Sequence, residues 1–105
     1  MSAKGQSDSK AVDQNFNIGK VLRLSSTVVD VQFNEQLVPE ILHKLIILRS
    51  ENNSAATIAA ALEQEFSDPN LITIEVAQHL GDGIVRCIAL EPLDGIRRGL
   101  DVIDT

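Results

Sequence analysis

Aromatic residues are nearly missing from this sequence: Phe16, Phe33 and Phe66 stand alone, with no Trp and no Tyr. Proteins that hold single-stranded nucleic acid stack bases on exposed aromatic rings, and that platform is not here. Positive charge is also short. Nine Lys and Arg against fifteen Asp and Glu leave a net charge of −6. Affinity for a phosphate backbone rests on Lys and Arg neutralising it, so both deficits argue against a nucleic-acid partner. A single cysteine, Cys87, excludes an intrachain disulfide and with it a disulfide-stapled secreted scaffold. No apolar run approaches the length that crosses a bilayer. The opening MSAKGQSDSKAVDQN has neither the apolar core of a signal peptide nor the Arg-rich, acid-poor character of a mitochondrial presequence. A soluble protein of a reducing compartment is the plain expectation. An organellar chain whose presequence has been removed is the alternative.

What is present is aliphatic. With 105 residues and a hydrophobic fraction of 44%, carried by Ile, Leu, Val and Ala, there is room for one compact domain with a modest core. The clearest local pattern is LITIEVAQHLGDGIVRCIAL, residues 71 to 90. Ile72, Ile74 and Val76 alternate with Thr73, Glu75 and Ala77. Beyond Gly81-Asp82-Gly83, Val85, Cys87 and Ala89 alternate with Ile84, Arg86, Ile88 and Leu90. Two period-two runs joined by a short Gly-containing loop predict an antiparallel hairpin.

The remaining chain reads as short strands between turns, with one interruption. Residues 1 to 15 are polar and are expected to form a disordered arm, leaving the domain to residues 16 to 105. Residues 18 to 25 and 27 to 33 read as extended, with Ser25-Ser26 as a bend or bulge within one long strand. Residues 34 to 39 form a loop ended by Pro39. ILHKLIILR, residues 41 to 49, is ambiguous by periodicity alone; its length and flanking turns favour a strand. Residues 50 to 70 break the pattern. There Asn53 or Ser54 caps a short helix near residues 54 to 66, with Ile58, Leu62 and Phe66 as its apolar stripe. Ser67-Asp68-Pro69-Asn70 ends that insertion. Residues 91 to 95 turn, and residues 100 to 104 make a last strand. The fold class that follows is all-β: a small six-stranded, closed or nearly closed antiparallel barrel with one helical insertion. Closure would remove edges that a chain rich in Ile and Val leaves sticky.

Catalytic chemistry is not legible in these residues. Gly19-Lys20 is followed by Val21 and lacks the upstream glycine of a phosphate-cradling loop, and Gly81-Asp82-Gly83 joins strands rather than opening a helix. His43, His79 and Cys87 have no zinc-like spacing, so no metal ligands are assigned. His43 is expected as a partly buried or rim imidazole, His79 as packing at a strand end, and Cys87 as a small core residue. Asp30 is either a buried functional carboxylate or a solvent-facing residue between Val29 and Val31; the second is favoured. Arg97-Arg98 reads as a surface pair near a turn. No nucleophile is marked.

From Gly19 onward the sequence resembles the N-terminal domain of the F-type ATP synthase β subunit. The resemblance is carried by Gly19-Lys20-Val21, by VVDVQF (Val28, Val29, Asp30, Val31, Gln32, Phe33) and by Val38-Pro39-Glu40-Ile41-Leu42. It is strongest in EVAQHLG (Glu75, Val76, Ala77, Gln78, His79, Leu80, Gly81). It continues through Asp82-Gly83, Val85-Arg86, Ile88-Ala89, Asp94-Gly95-Ile96, Arg98-Gly99 and Val102-Ile103-Asp104-Thr105. EVAQHLG together with VVDVQF separates β from the related α subunit. The resemblance implies a six-stranded barrel in a crown of alternating α and β barrels on an α3β3 hexamer, with α-subunit barrels as partners.

It also implies a parent that makes ATP from ADP and phosphate, with Mg, coupled to proton flow. That parent is expected at the cytoplasmic face of a bacterial inner membrane or on the mitochondrial matrix side. Nucleotide-binding and C-terminal domains are expected to follow Thr105, so this stretch is expected to be inactive, cofactor-free and monomeric by itself. Two departures stand out: Ser26-Thr27 where the family has Gly and a small apolar residue, and the long segment from about residue 49 to 70. A stand-alone barrel that binds a protein or small molecule through the 54 to 66 helix is the alternative.

Overall fold

The computed structural model describes residues 16–50, 53–63 and 69–104. Six strands occur in chain order: β1 (Asn17–Ser25), β2 (Val28–Gln32), β3 (Lys44–Leu48), β4 (Leu71–Gly81), β5 (Ile84–Ala89) and β6 (Asp101–Asp104). Among the described residues one helix, α1 (Ala55–Leu62), lies between β3 and β4. The strands close into a barrel in the order β1-β2-β5-β4-β3-β6, and β6 returns to β1. Every pairing is antiparallel. The expected fold is the observed one. The expected N-terminal arm and Phe66 lie outside the described residues.

Inward rows fill the barrel with branched aliphatics: Val29 and Val31, Leu45 and Ile47, Ile72, Ile74 and Val76, Val85 and Cys87, and Val102. β-branched side chains suit a pleated, half-buried wall, and this alternation fixes the register. Gly19 sits where a Cβ would lie 2.8 Å from the Phe33 ring, so the bare backbone admits that ring into the core.

Three local expectations need correction. Ser25-Ser26 is not a bend within one strand. Ser25 pairs with Val28, so Ser26 and Thr27 form a two-residue hairpin turn, with Ser26 at φ 57. The bulge lies instead at Leu22, where the β1–β2 register shifts between Val21 and Arg23. The strand expected over residues 41 to 49 is only Lys44–Leu48. Ile41 and Leu42 stay exposed in a turn, and Leu42 takes φ 74. The last strand is Asp101–Asp104, one residue shorter than expected, although the Val21 N–H still bonds the Leu100 carbonyl just before it.

The β4–β5 connection is a tight turn over Asp82 and Gly83, both with positive φ, as a primed two-residue hairpin requires. A Cβ on Gly83 would meet the Phe33 carbonyl oxygen at 2.3 Å, and the Phe33 backbone N–H donates to the Gly83 carbonyl at 2.8 Å. The turn is thereby locked against the end of β2.

Helix α1 starts at Ser54, whose hydroxyl accepts from the Thr57 N–H. Asn53 does different work. Its Oδ1 accepts the Asp101 N–H, and its Nδ2 donates to the Leu48 carbonyl. Asp101 in turn accepts the Ala55 N–H through Oδ2. These bonds seat the helix on the outside of β3 and β6, where Ile58 is fully buried against Leu48 and Ile103. A helix this short is marginal alone in water, and burial of one Ile there is worth about 1.5–3 kcal/mol.

Candidate functional site

Two features of the barrel wall carry the residues singled out by sequence. The first is the string EVAQHLG, which occupies the second half of β4. Its pairing with β5 shifts register twice, between Val76 and Gln78 and again between His79 and Gly81. Ala77 and Leu80 are the extra residues. Bulges bend and twist a strand where a sheet must curl. The residues of this string are thus the ones that turn β4 around the barrel and deliver it to the Asp82-Gly83 turn. His79 does not pack in a core. It is exposed at the barrel mouth, with Nε2 2.7 Å from the Pro39 carbonyl oxygen, tying β4 to the β2–β3 loop. Glu35, Val38, Asp82 and Ile84 join it around an open cleft of about 310 Å³.

The second feature is Asp30. It does not face solvent as expected: it is 2% exposed. Its row on the outer wall pairs Arg23 of β1 with Asp30 of β2, and Asp30 with Arg86 of β5. Arg23 Nε donates to Oδ2 at 2.7 Å, Arg86 Nε donates to Oδ1 at 2.9 Å, and Arg86 Nη2 donates to Oδ2 at 3.0 Å. The arginines lie across the carboxylate and remove it from water. Their bonds, Arg86 foremost, hold its carboxyl below the ordinary value of 3.8, while burial pushes the other way. Only the two-residue turn at Ser26-Thr27, which no glycine marks in the sequence, places Arg23 opposite Asp30.

The remaining candidates are dispersed. His43 is exposed, and its Nδ1 lies 2.9 Å from Asp104 Oδ1. Burial raises the Asp104 carboxyl, with His43 opposing. Cys87 lies in the core with no exposure, and desolvation pushes its thiol up to about 12. Arg97 and Arg98 are exposed, as are Asp94, Gly95 and Gly99 in the turns before β6. Among the described residues, no group of three or more His, Cys, Asp or Glu is arranged to hold a metal ion. Gly19-Lys20 lies inside β1, and Lys20 Nζ pairs with Asp101. Neither Gly19-Lys20, inside a strand, nor Gly81-Asp82-Gly83, joining two strands, has the form of a nucleotide cradle at a helix N-terminus.

Residues 44–105 match the family model described as the ATP synthase alpha/beta family, beta-barrel domain. The chain belongs to the ATP synthase alpha/beta family. In this family member the match starts at β3 and takes in α1, the bulged β4, β5 and β6. Among the described residues no helix is long and apolar enough to cross a membrane.

Proposed function

We propose that this barrel is the N-terminal crown domain of the β subunit of an F-type ATP synthase, alternating there with α-subunit barrels. The observation that carries the reading is the double-bulged EVAQHLG segment within a six-stranded barrel of the ATP synthase alpha/beta family. Its role is assembly. Val28, Val29, Asp30, Val31 and Arg86, residues 75 to 81, and the turn residues Asp82, Gly83, Asp94, Gly95, Arg98 and Gly99 serve as wall and turns, not as catalytic groups. The parent enzyme makes ATP from ADP and phosphate with Mg, driven by proton translocation. It works as a peripheral complex at the cytoplasmic face of a bacterial inner membrane or on the mitochondrial matrix side.

The test is twofold. An open reading frame that runs past Thr105 into Gly-x-x-x-x-Gly-Lys followed by Ser or Thr supports the parentage, and one without that loop contradicts it. Calorimetry of the 105-residue chain with MgATP should show no saturable heat, whereas micromolar binding would place nucleotide chemistry in the barrel itself.

A further inference from the structure

The outer wall of the barrel is treated differently on its two sides. Over β3 and β6 it is covered by the chain's own helix, with Ile103 and Leu48 buried beneath Ile58. Over β2 and β5, among the described residues, no helix covers it. There Ile88 is 39% exposed and Leu90 54%, and Val28 stands in register with Ile88. Beside these apolar residues lies the Arg23–Asp30–Arg86 row. Asp30 cancels one of the two guanidinium charges, so the row keeps a net positive charge on a chain of net −6. Glu75 of β4 stands in register with both Ile88 of β5 and Lys44 of β3, so the acid beside the apolar residues has a lysine across from it.

A guanidinium has five N–H groups, and among the described residues Asp30 takes one from Arg23 and two from Arg86. Most donors therefore remain for a second acceptor. Both arginine side chains are partly open to solvent, at 57% and 40%. Between them is a cleft of about 90 Å³ lined also by Leu24, Ser25 and Val28. That is about three water volumes, enough for a carboxylate.

We propose that this face docks a protein segment that presents a carboxylate between apolar side chains. The carboxylate enters the cleft onto Arg23 and Arg86, and its neighbours cover Val28, Ile88 and Leu90. One net positive charge is balanced by a monovalent carboxylate, while a dianionic phosphate would leave the row with an excess negative charge. The exposed apolar rim distinguishes a protein segment from a free small acid, which would leave that rim wet. Fork-like Arg–carboxylate pairing supplies the geometric specificity. This inference stands on the wall's own charge and exposure and does not need the subunit assignment proposed above.

The test is an NMR titration of the isotope-labelled chain at constant ionic strength. Three probes are used: acetyl-Thr-Val-Glu-Val-Thr-amide, its Gln counterpart and inorganic phosphate. The acidic peptide should shift the Arg23 and Arg86 Nε–H signals and the Ile88 and Leu90 amides along one saturating curve. The Gln peptide should bind about tenfold more weakly or less, as loss of charge-assisted bonds requires. Arg23→Gln leaves the two-pronged Arg86–Asp30 contact intact and should weaken the acidic peptide to the level of the Gln peptide. Leu90→Asn, at an exposed site, should weaken it with the arginines untouched. Equal shifts from both peptides, or shifts centred elsewhere, overturn the proposal. Tighter binding of phosphate than of the acidic peptide overturns the carboxylate assignment. Concentration-dependent shifts of the same signals without any probe would show a second copy as the occupant and overturn it too.

Discussion

Replacing Asp30 with Asn changes one buried charge and almost no volume. Three N–H groups converge on a carboxylate that is 2% exposed. Removing one partner of a fully buried ion pair costs about 3–5 kcal/mol. Here the guanidinium groups are half in water, so screening reduces that figure, and the amide retains one acceptor oxygen. The expected loss at neutral pH is about 2 kcal/mol. Its pH dependence has a definite sign. Arg86 and then Arg23 hold the folded-state carboxyl below its ordinary 3.8 against the opposing effect of burial. A depressed folded pKa stabilises above the unfolded value and is lost as pH falls through the folded one. Asn has no proton to gain, so the gap between wild type and Asp30→Asn should be full above about pH 5 and close as the pH drops below that range.

Urea unfolding followed by far-ultraviolet circular dichroism is the suitable assay, since the chain has neither Trp nor Tyr to report by fluorescence. A gap below about 0.5 kcal/mol at pH 7 would refute the ion-pair reasoning, because that is the range of ordinary surface substitutions. A gap of the same size at pH 3 and pH 7 would refute the charge as its cause.

Three other outcomes follow from the packing. Gly83→Ala puts a methyl carbon 2.3 Å from the Phe33 carbonyl oxygen at φ +81, and should cost about 2–4 kcal/mol. A thermal midpoint within a few degrees of wild type would contradict that. Ile58→Ala empties a fully buried site between the helix and β3/β6, and should cost about 2–4 kcal/mol. Hydrogen exchange should then be faster in α1, and unchanged protection there would mean the helix is not anchored by Ile58. Cys87, with its thiol pushed up to about 12 and no exposure, should resist an aromatic disulfide reagent at pH 8 until urea unfolds the chain. Rapid labelling of the folded protein would contradict the burial.

How far the sequence carries the fold depends on whether the information is local. The hairpin of β4 and β5 is legible because its alternation and its Asp82-Gly83 turn lie within one short stretch. The aliphatic core follows from the same alternation. Helix α1 is legible through Ser54 and the run of Ala. What escapes sequence reading is set across the barrel. Ser26-Thr27 lacks the glycine that marks a hairpin turn, so β1 and β2 read as one strand and Arg23 is not placed opposite Asp30. Without that partner, and without Arg86 from β5, an acid between two valines reads as solvent-facing. The exposed Ile41 and Leu42 look like strand because their composition is apolar, yet Leu42 turns at φ 74. The bulges at Ala77 and Leu80 are pairing features, visible only once β5 lies beside β4. Asn53 looks like a cap. Its role as the tie between Leu48 and Asp101 needs β6 in place.

Assembly beside α subunits is measured most directly by tagging the chain in its native full-length form and weighing the purified complex by native mass spectrometry. The proposed function predicts a complex that holds this chain and an ATP synthase α subunit in equal copy number. Recovery of the intact chain alone, or with partners that include no α subunit, would contradict it.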